Sequence, residues 1–154
     1  MLFPEYQESI FIDPNIDIRN DLLFKSKKGI INIPFHQRRK CLYKECEYVM
    51  RSGLDSKEAI ESMVALLKQN KMPKNYGLLE NCIIYRKHND IKVKKMCDEW
   101  WSLIEKYSKR DQCSLTFVLW KMGIKVEDVS FPFGVRSSLN FIINKHLKMR
   151  QSIT

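Results

Sequence analysis

The stretch Ser9-Ile10-Phe11-Ile12-Asp13-Pro14-Asn15 is an apolar run that ends in three residues typical of a turn. It predicts a short strand over 9–12 and a turn directly after it. Because alternate residues of an extended segment point to one side, Asp13 and Asn15 can present their side-chain oxygens together. Such oxygens suit Mg²⁺ or Mn²⁺, which also bind substrate phosphates, although the same residues also form ordinary turns.

The rest of the sequence contains further apolar runs, and also segments in which apolar residues recur with the spacing of a helix. The runs predict further strands at 30–33, 82–85 and 124–126. Apolar positions three or four residues apart predict helices at 40–51, from 55 onward, from 90 onward and at 112–122. After residue 130 we expect irregular chain and then a helix from residue 140.

Two of these helices carry local start signals. Asp55 with Glu58 three residues later is typical of a capping box, and Asn89 or Asp90 is placed to cap the long helix. The resulting order β-β-α-α-β-α-α-β predicts an α/β domain, or alternatively an α+β domain. Four to five helices would pack on a small mixed sheet.

The composition favours one globular domain with an affinity for anions. The 154 residues include 27 Lys and Arg against 18 Asp and Glu, which gives a formal net charge of +9. Basic clusters at 25–28, 38–40 and 92–95 favour nucleic acid, phosphorylated small molecules or an acidic membrane surface. No zinc-finger or RNA-recognition motif accompanies them, so nucleic-acid binding rests on charge alone.

The sequence contains neither a signal peptide nor an apolar stretch long enough to span a membrane. Its five cysteines are scattered, as in proteins that keep their thiols reduced. We therefore expect a cytoplasmic protein, or one that binds peripherally to a membrane.

The segment 36–45 places His36 and Arg39 just before a predicted helix, with Glu45 in its first turns. Such residues are typical of a phosphate or carboxylate pocket, and Glu45 could hydrogen-bond a sugar. Taken by itself, the segment is more typical of a basic loop that leads into a surface helix.

Glu80 lies before the strand predicted at 82–85, whereas Arg86 and His88 follow it. Since a strand extends by about 3.3 Å per residue, the two ends of this strand cannot readily serve one site. We expect one end to be functional and the other to be structural.

The segment 100–112 brings two tryptophans close to a charged turn. By its spacing Trp100 belongs to the core, whereas Trp101 could stack on a sugar ring or be buried. Asp111 is placed either as a helix cap or as a carboxylate that binds or deprotonates a substrate, with Arg110 next to it.

Four motifs in this order carry a resemblance to a known family. They are Ser9-Ile10-Phe11-Ile12-Asp13-Pro14-Asn15-Ile16, similar to SIWIDANI, then H-x-x-R-x-C-x-Y-x-E at 36–45, R-x-H-N at 86–89, and W-W followed by S-x-R-D-Q over 100–112. Pro73, Gly77, Leu78 and Glu80 lie between the second and third motifs. The chain resembles a glycosyltransferase-like family, formerly a domain of unknown function, that includes plant turgor-regulation and mucilage-related hexosyltransferase-like proteins and bacterial polysaccharide-cluster relatives. The resemblance spans roughly residues 6 to 128.

This resemblance implies a GT-A-like fold and the transfer of a hexose from a nucleotide sugar to a saccharide acceptor in polysaccharide synthesis. It also implies a divalent metal ion, Mn²⁺ or Mg²⁺, held by an Asp-x-Asp-type motif. Asp13 would be the acid of that motif, with Asn15 where a second Asp often stands. A neutral amide oxygen contributes less to cation binding than a carboxylate does.

The resemblance also suggests roles for the other charged residues. Glu80 and Asp111 would supply the catalytic carboxylate or bind the acceptor. The remaining candidates for substrate binding are His36, Arg39, Glu45, Arg86, His88, Trp101, Arg110 and Gln112.

Members of this family ordinarily carry a nucleotide-binding βαβ half before the acidic motif. The resemblance therefore implies that residues 1–154 are a single domain, the C-terminal portion of such a fold. It would be a fragment or a truncated reading frame, or else a remnant whose activity is lost or supplied by a partner. The missing half of the sheet would also leave an unpaired edge and apolar surface, which favour self-association. The alternative is a non-catalytic basic module that binds nucleic acid or an anionic glycan.

Overall fold

The computed structural model describes residues 5–137 and 139–144. Within them the chain forms five short strands: β1 (Ser9–Ile12), β2 (Ile16–Ile18), β3 (Ile31–Asn32), β4 (Ile83–Arg86) and β5 (Phe141–Ile143). It also forms six helices: α1 (Leu22–Lys25), α2 (Leu42–Arg51), α3 (Lys57–Gln69), α4 (Ile91–Lys106), α5 (Leu115–Lys121) and α6 (Val126–Val129). Single 3₁₀ turns lie at Asp111–Cys113 and Val135–Ser137. The predicted small α/β domain is confirmed.

Strand β4 lies at the centre of a three-stranded sheet of order β1-β4-β3. Both neighbours are antiparallel to β4, and Ile12 lies opposite Ile83 in the β1 ladder. The side chain of Ile84 packs in the cluster formed with α4 and α5, whereas Ile83 and Tyr85 pack with Phe131 and other aromatic residues on the opposite face. Since successive side chains of a strand point to opposite faces, the run Ile83-Ile84-Tyr85 is continuously hydrophobic because both faces of β4 are buried there.

Helices α2 and α3 form an antiparallel pair that packs on α5 through a second cluster, which includes Phe117. Ser56, not Asp55, caps α3, since its hydroxyl accepts a hydrogen bond from Ala59 N at 3.1 Å. The Asp55 carboxylate instead accepts hydrogen bonds from the Ser108 hydroxyl at 2.7 Å and Lys109 N at 2.9 Å. The capping box predicted at Asp55 is therefore wrong, because this carboxylate ties the start of α3 to the loop after α4.

Other boundaries follow the predictions more closely. Asp90 caps α4 as predicted, accepting hydrogen bonds from the backbone of Lys92 and Val93. The helix predicted at 112–122 begins one residue earlier as a 3₁₀ turn before α5. In the described ranges no helix is both long and apolar enough to cross a membrane.

Two predictions for the last third of the chain are wrong. The strand predicted at 124–126 is absent, and Val126 begins α6, after which Ser130 forms a parallel bridge with Ile33. Residues 141–143 form β5 rather than a helix, because they pair with β2, a strand that the sequence did not predict. The rest of the predicted terminal helix lies outside the described residues.

Gly77 lies where the chain passes closest to α6. Its φ is +103°, and a Cβ added there would lie 2.8 Å from Cβ of Val126. Gly53 also has a positive φ, +61°, but its Cβ would meet nothing within 4 Å.

We expect Gly53→Ala to lower the free energy of unfolding by about 1 kcal/mol, the backbone cost of a left-handed residue. Gly77→Ala should cost about 1–3 kcal/mol more, because the added methyl group overpacks the contact with α6. Urea denaturation of both variants measures the difference, and equal losses would contradict a packing role for Gly77.

Candidate functional site

A polar pocket of about 350 Å³ lies beside the start of β4, where four distant segments of the chain meet. Six of the residues predicted from the sequence line it: Asp13, Asn15, Glu80, Arg110, Asp111 and Gln112. Ile16, Asn81, Cys82, Arg136 and Ile143 complete the lining. The structure thus brings together both predicted metal ligands, both predicted catalytic carboxylates and two of the predicted substrate-binding residues.

The first wall is the turn that follows β1. Asp13 N donates a hydrogen bond to Cys82 O at 2.8 Å, which ties the turn to the start of β4. Ile16 N closes the turn by donating to Asp13 O at 3.0 Å, and Asn144 N donates to Asn15 O at 2.8 Å. The pairing of β1 with β4, continued by the hydrogen bond from Asp13 N, therefore places Asp13 and Asn15 at the pocket.

The second wall is Glu80, which is buried with 5% of its surface exposed. Its backbone N donates to Pro34 O at 2.7 Å. Its side-chain Oε1 accepts a hydrogen bond from Arg136 Nε at 2.7 Å and forms an ion pair with Arg136 Nη2 at 2.5 Å. Arg136 thus holds the carboxylate by one oxygen only.

Arg136 is a pocket residue that the sequence did not predict. Gln37 holds it, since Gln37 Oε1 accepts hydrogen bonds from Arg136 N at 2.7 Å and from Ser137 N at 3.1 Å. Gly134 makes this possible, because a Cβ there would lie 2.3 Å from Cδ of Gln37. No local pattern marks Arg136, because its role depends on residues about 55 and 100 positions away.

The third wall is the 3₁₀ turn that carries Asp111. The indole of Trp100 donates a hydrogen bond to Asp111 O at 3.0 Å, and Trp100 is buried as predicted. Asn81 Nδ2 donates to Asp111 Oδ2 at 3.2 Å, and Gln112 N donates to Oδ1 at 2.8 Å. A core tryptophan therefore fixes the backbone of the turn, while its carboxylate faces Asn81, which the sequence did not single out.

His36, Arg39 and Glu45 do not line this pocket; they form a cluster of their own. His36 Nδ1 accepts hydrogen bonds from Arg38 N at 3.1 Å and Arg39 N at 2.9 Å, and Arg39 forms an ion pair with Glu45. Both His36 and Glu45 are buried. Because these groups satisfy one another, the geometry favours a structural role for them, at the entry to α2.

The other three predicted residues also lie away from the pocket. Arg86 is at the opposite end of β4, where its Nε donates to the Ser9 hydroxyl at 3.3 Å. His88 lies beyond it, in the turn before α4. Trp101 is 60% exposed on α4 and contributes nothing to the pocket lining. Of the two ends of β4, the one near Glu80 is therefore the one that meets the other candidate residues.

Comparison with known proteins identifies the family to which this chain belongs. The sequence model described as "TOD1/MUCI70, glycosyltransferase-like domain" matches residues 1–146. The chain belongs to the TOD1/MUCI70 family. Searches of curated proteins and of solved structures found no match. All six predicted residues of the pocket lie within the matched region of this TOD1/MUCI70 domain.

The side chains that line the pocket determine what kind of metal ion they could bind. In the part of the chain that the structure describes, no three His, Cys, Asp or Glu side chains form a group that could hold a metal ion. Asp13 and Asn15 still offer a carboxylate and an amide at one pocket. Mg²⁺ is often bound by one or two carboxylates together with substrate phosphates. The residues therefore fit a cation shared with a phosphate ligand, and not one held by protein alone.

The buried His36 predicts a pH dependence of stability. Burial, together with the charges of Arg39, Arg136 and Arg38, lowers the pKa of His36 from 6.5 to about 4. In the unfolded chain His36 takes up a proton near pH 6.5, whereas the folded protein resists it. Its contribution to stability is therefore complete above pH 6.5 and is lost as the pH falls towards 4.

We expect His36→Asn, whose amide oxygen can replace Nδ1 as acceptor, to remove this dependence. Between pH 7 and pH 4 the wild type should lose about 2–3 kcal/mol more unfolding free energy than the variant. Urea titrations across this range measure the difference, and parallel pH profiles would contradict the assignment of a neutral buried His36.

Proposed function

We propose that the pocket binds a nucleotide sugar and transfers its hexose to a saccharide acceptor. The observation that carries the proposal is the convergence of Asp13, Asn15, Glu80, Arg110 and Asp111 on one polar pocket, in a domain of a glycosyltransferase-like family. These residues come from three segments that are separated by up to about 100 positions in the sequence.

Asp13, Asn15 and Arg110 form the side of the pocket suited to a diphosphate. Asp13 and Asn15 would hold Mn²⁺ or Mg²⁺, and the ion, when bound, would neutralise charge that develops on the leaving diphosphate. Arg110 lines the same pocket, and its guanidinium group is matched to phosphate oxygens.

Asp111 is the carboxylate better suited to receive a proton from the acceptor hydroxyl. Its two oxygens accept hydrogen bonds from Asn81 and from the backbone of Gln112, two neutral donors that orient the group. Glu80, in contrast, is paired with Arg136 through Oε1. A general base must lie within hydrogen-bond reach of the proton that it takes, and the fixed turn gives Asp111 a defined position for this role.

Calorimetric titration with UDP and GDP, with and without Mn²⁺, tests the proposal. We expect binding that requires Mn²⁺ and that Asp13→Asn weakens at least about tenfold, because the amide carries no charge to attract the cation. Asp98→Asn, the same chemical change on the exposed side of α4, should bind like the wild type. Binding that needs no metal, or that survives Asp13→Asn, would contradict the assigned roles.

One observation favours a second candidate function, a module that binds polyanions. A groove of about 450 Å³ beside α2 is lined by the cations Arg38, Arg39, Lys40, Lys44 and Arg51. Its positive charge is reduced, since Lys44 and Arg51 both pair with Glu47, and Arg39 pairs with Glu45. Affinity for RNA or heparin that falls steeply with salt and ignores both Mn²⁺ and Asp13→Asn would support this module.

A further inference from the structure

In the pocket lining, the buried side-chain oxygens Glu80 Oε2 and Asn81 Oδ1 have no hydrogen-bond partner within residues 5–137 and 139–144. Glu80 is 5% exposed and Asn81 is 6% exposed, and both line the candidate site. Buried acceptors are normally satisfied, because an unpaired polar group away from water destabilises the fold. Two such acceptors on adjacent residues of one pocket point to a ligand that supplies hydrogens.

The protein itself leaves these two atoms unused. The Arg136 guanidinium group meets Glu80 through Oε1, by a hydrogen bond from Nε and an ion pair with Nη2, so that Oε2 is left over. Asn81 uses its amide nitrogen on Asp111, which fixes the rotation of the side chain and leaves Oδ1 as an acceptor. The hydrogen bond from Glu80 N to Pro34 O holds the backbone of this pair. Both acceptors are therefore rigidly positioned before a ligand arrives.

Glu80 Oε2 and Asn81 Oδ1 would repel the diphosphate of a nucleotide sugar and suit its sugar ring. Phosphate oxygens are acceptors, and an ionised phosphate would meet two further acceptors here, one of them on a carboxylate. Sugar hydroxyl groups are donors and carry no charge. We propose that Glu80 Oε2 and Asn81 Oδ1 bind hydroxyl groups of a sugar ring, and that this pair determines which sugar the pocket accepts.

The inference rests on the proposed function and assigns the diphosphate and the sugar to different sides of the pocket. The diphosphate lies towards Asp13 and Arg110, whereas the sugar hydroxyls lie against Glu80 and Asn81. A pyranose of the donor and one of the acceptor would make the same contacts, so the experiment includes an arm for each. A site that hydrogen-bonds hydroxyl groups through buried partners rejects sugars whose hydroxyls are missing or misplaced, because the acceptors then remain unpaired.

The variant that tests this is Glu80→Gln. Glutamine keeps an oxygen for Arg136 and puts an amide NH₂ where Oε2 was, so that an acceptor becomes a donor. With Mn²⁺ present, we expect UDP and GDP to bind within about twofold of the wild type. The additional affinity of UDP-glucose, UDP-galactose or GDP-mannose over the free nucleotide should fall at least about tenfold. Glu99→Gln is the matched control, because Glu99 on α4 is also a carboxylate paired with a cation, Lys121 of α5. This variant should change neither affinity.

A second measurement needs no variant and covers the case in which Glu80→Gln fails to fold. Deoxyfluoro analogues of the sugar that binds best are titrated into the wild type, since fluorine cannot donate a hydrogen bond. Replacing the hydroxyl groups that contact the wall should lower affinity about tenfold, whereas replacement elsewhere should not. Affinity that is unchanged for every fluorinated position would overturn the proposal.

Free methyl glycosides form the other arm. If Glu80→Gln weakens a methyl glycoside and spares the sugar nucleotides, the proposal holds with the acceptor as the source of the hydroxyls. If neither arm responds to Glu80→Gln, the proposal is overturned while the nucleotide site stands. Should UDP and GDP fail to bind at all, the proposed function fails. In that case the proposed role of Glu80 Oε2 and Asn81 Oδ1 stands only if a methyl glycoside binds the wild type and its affinity falls about tenfold in Glu80→Gln. If no methyl glycoside binds, this proposal fails as well.

Discussion

The burial of β4 on both faces is the constraint on which the rest of this small domain depends. Ile84 packs towards α4 and α5, and Ile83 packs towards the aromatic cluster that contains Phe131. A strand covered on both sides needs partners at both edges, which β1 and β3 supply. The residues just before β4 are held by the same packing, so Glu80 and Asn81 are placed by the core and not by a mobile loop. The packing of the sheet therefore fixes the position of these two residues of the candidate site.

The sequence predicted those elements whose signals are local. β1 and β4 are marked by apolar runs, and α4 is marked by Asp90 together with the spacing that buries Trp100. The β2–β5 pair escaped prediction because each strand has only three residues, and the partners are more than 120 positions apart. The capping of α3 was misassigned for a related reason: Asp55 carries a good capping side chain, but Ser108 and Lys109 compete for it across the fold.

Six of the residues predicted from the motif resemblance lie at one pocket. Motif membership does not distinguish a residue that meets a ligand from one that builds a turn, however. His36, Arg39 and Glu45 have the chemistry of a phosphate site, yet they use it on one another. Conversely, Arg136 follows no recognisable pattern, and only the folded chain brings it to Glu80. Local chemistry suggests candidates, and the contacts made across the fold decide among them.

One rung of the β2–β5 ladder, the pair Ile16 and Ile143, also lies in the lining of the pocket. A ligand in this pocket would therefore contact both β2 and β5, and its binding would be thermodynamically linked to the pairing of these two strands. At a concentration one hundred times its Kd, a ligand that binds only the closed form adds about 2.7 kcal/mol to the stability of that form. Substrate availability would then regulate how long the protein survives proteolysis, because opening of this ladder would become rarer as the pocket fills.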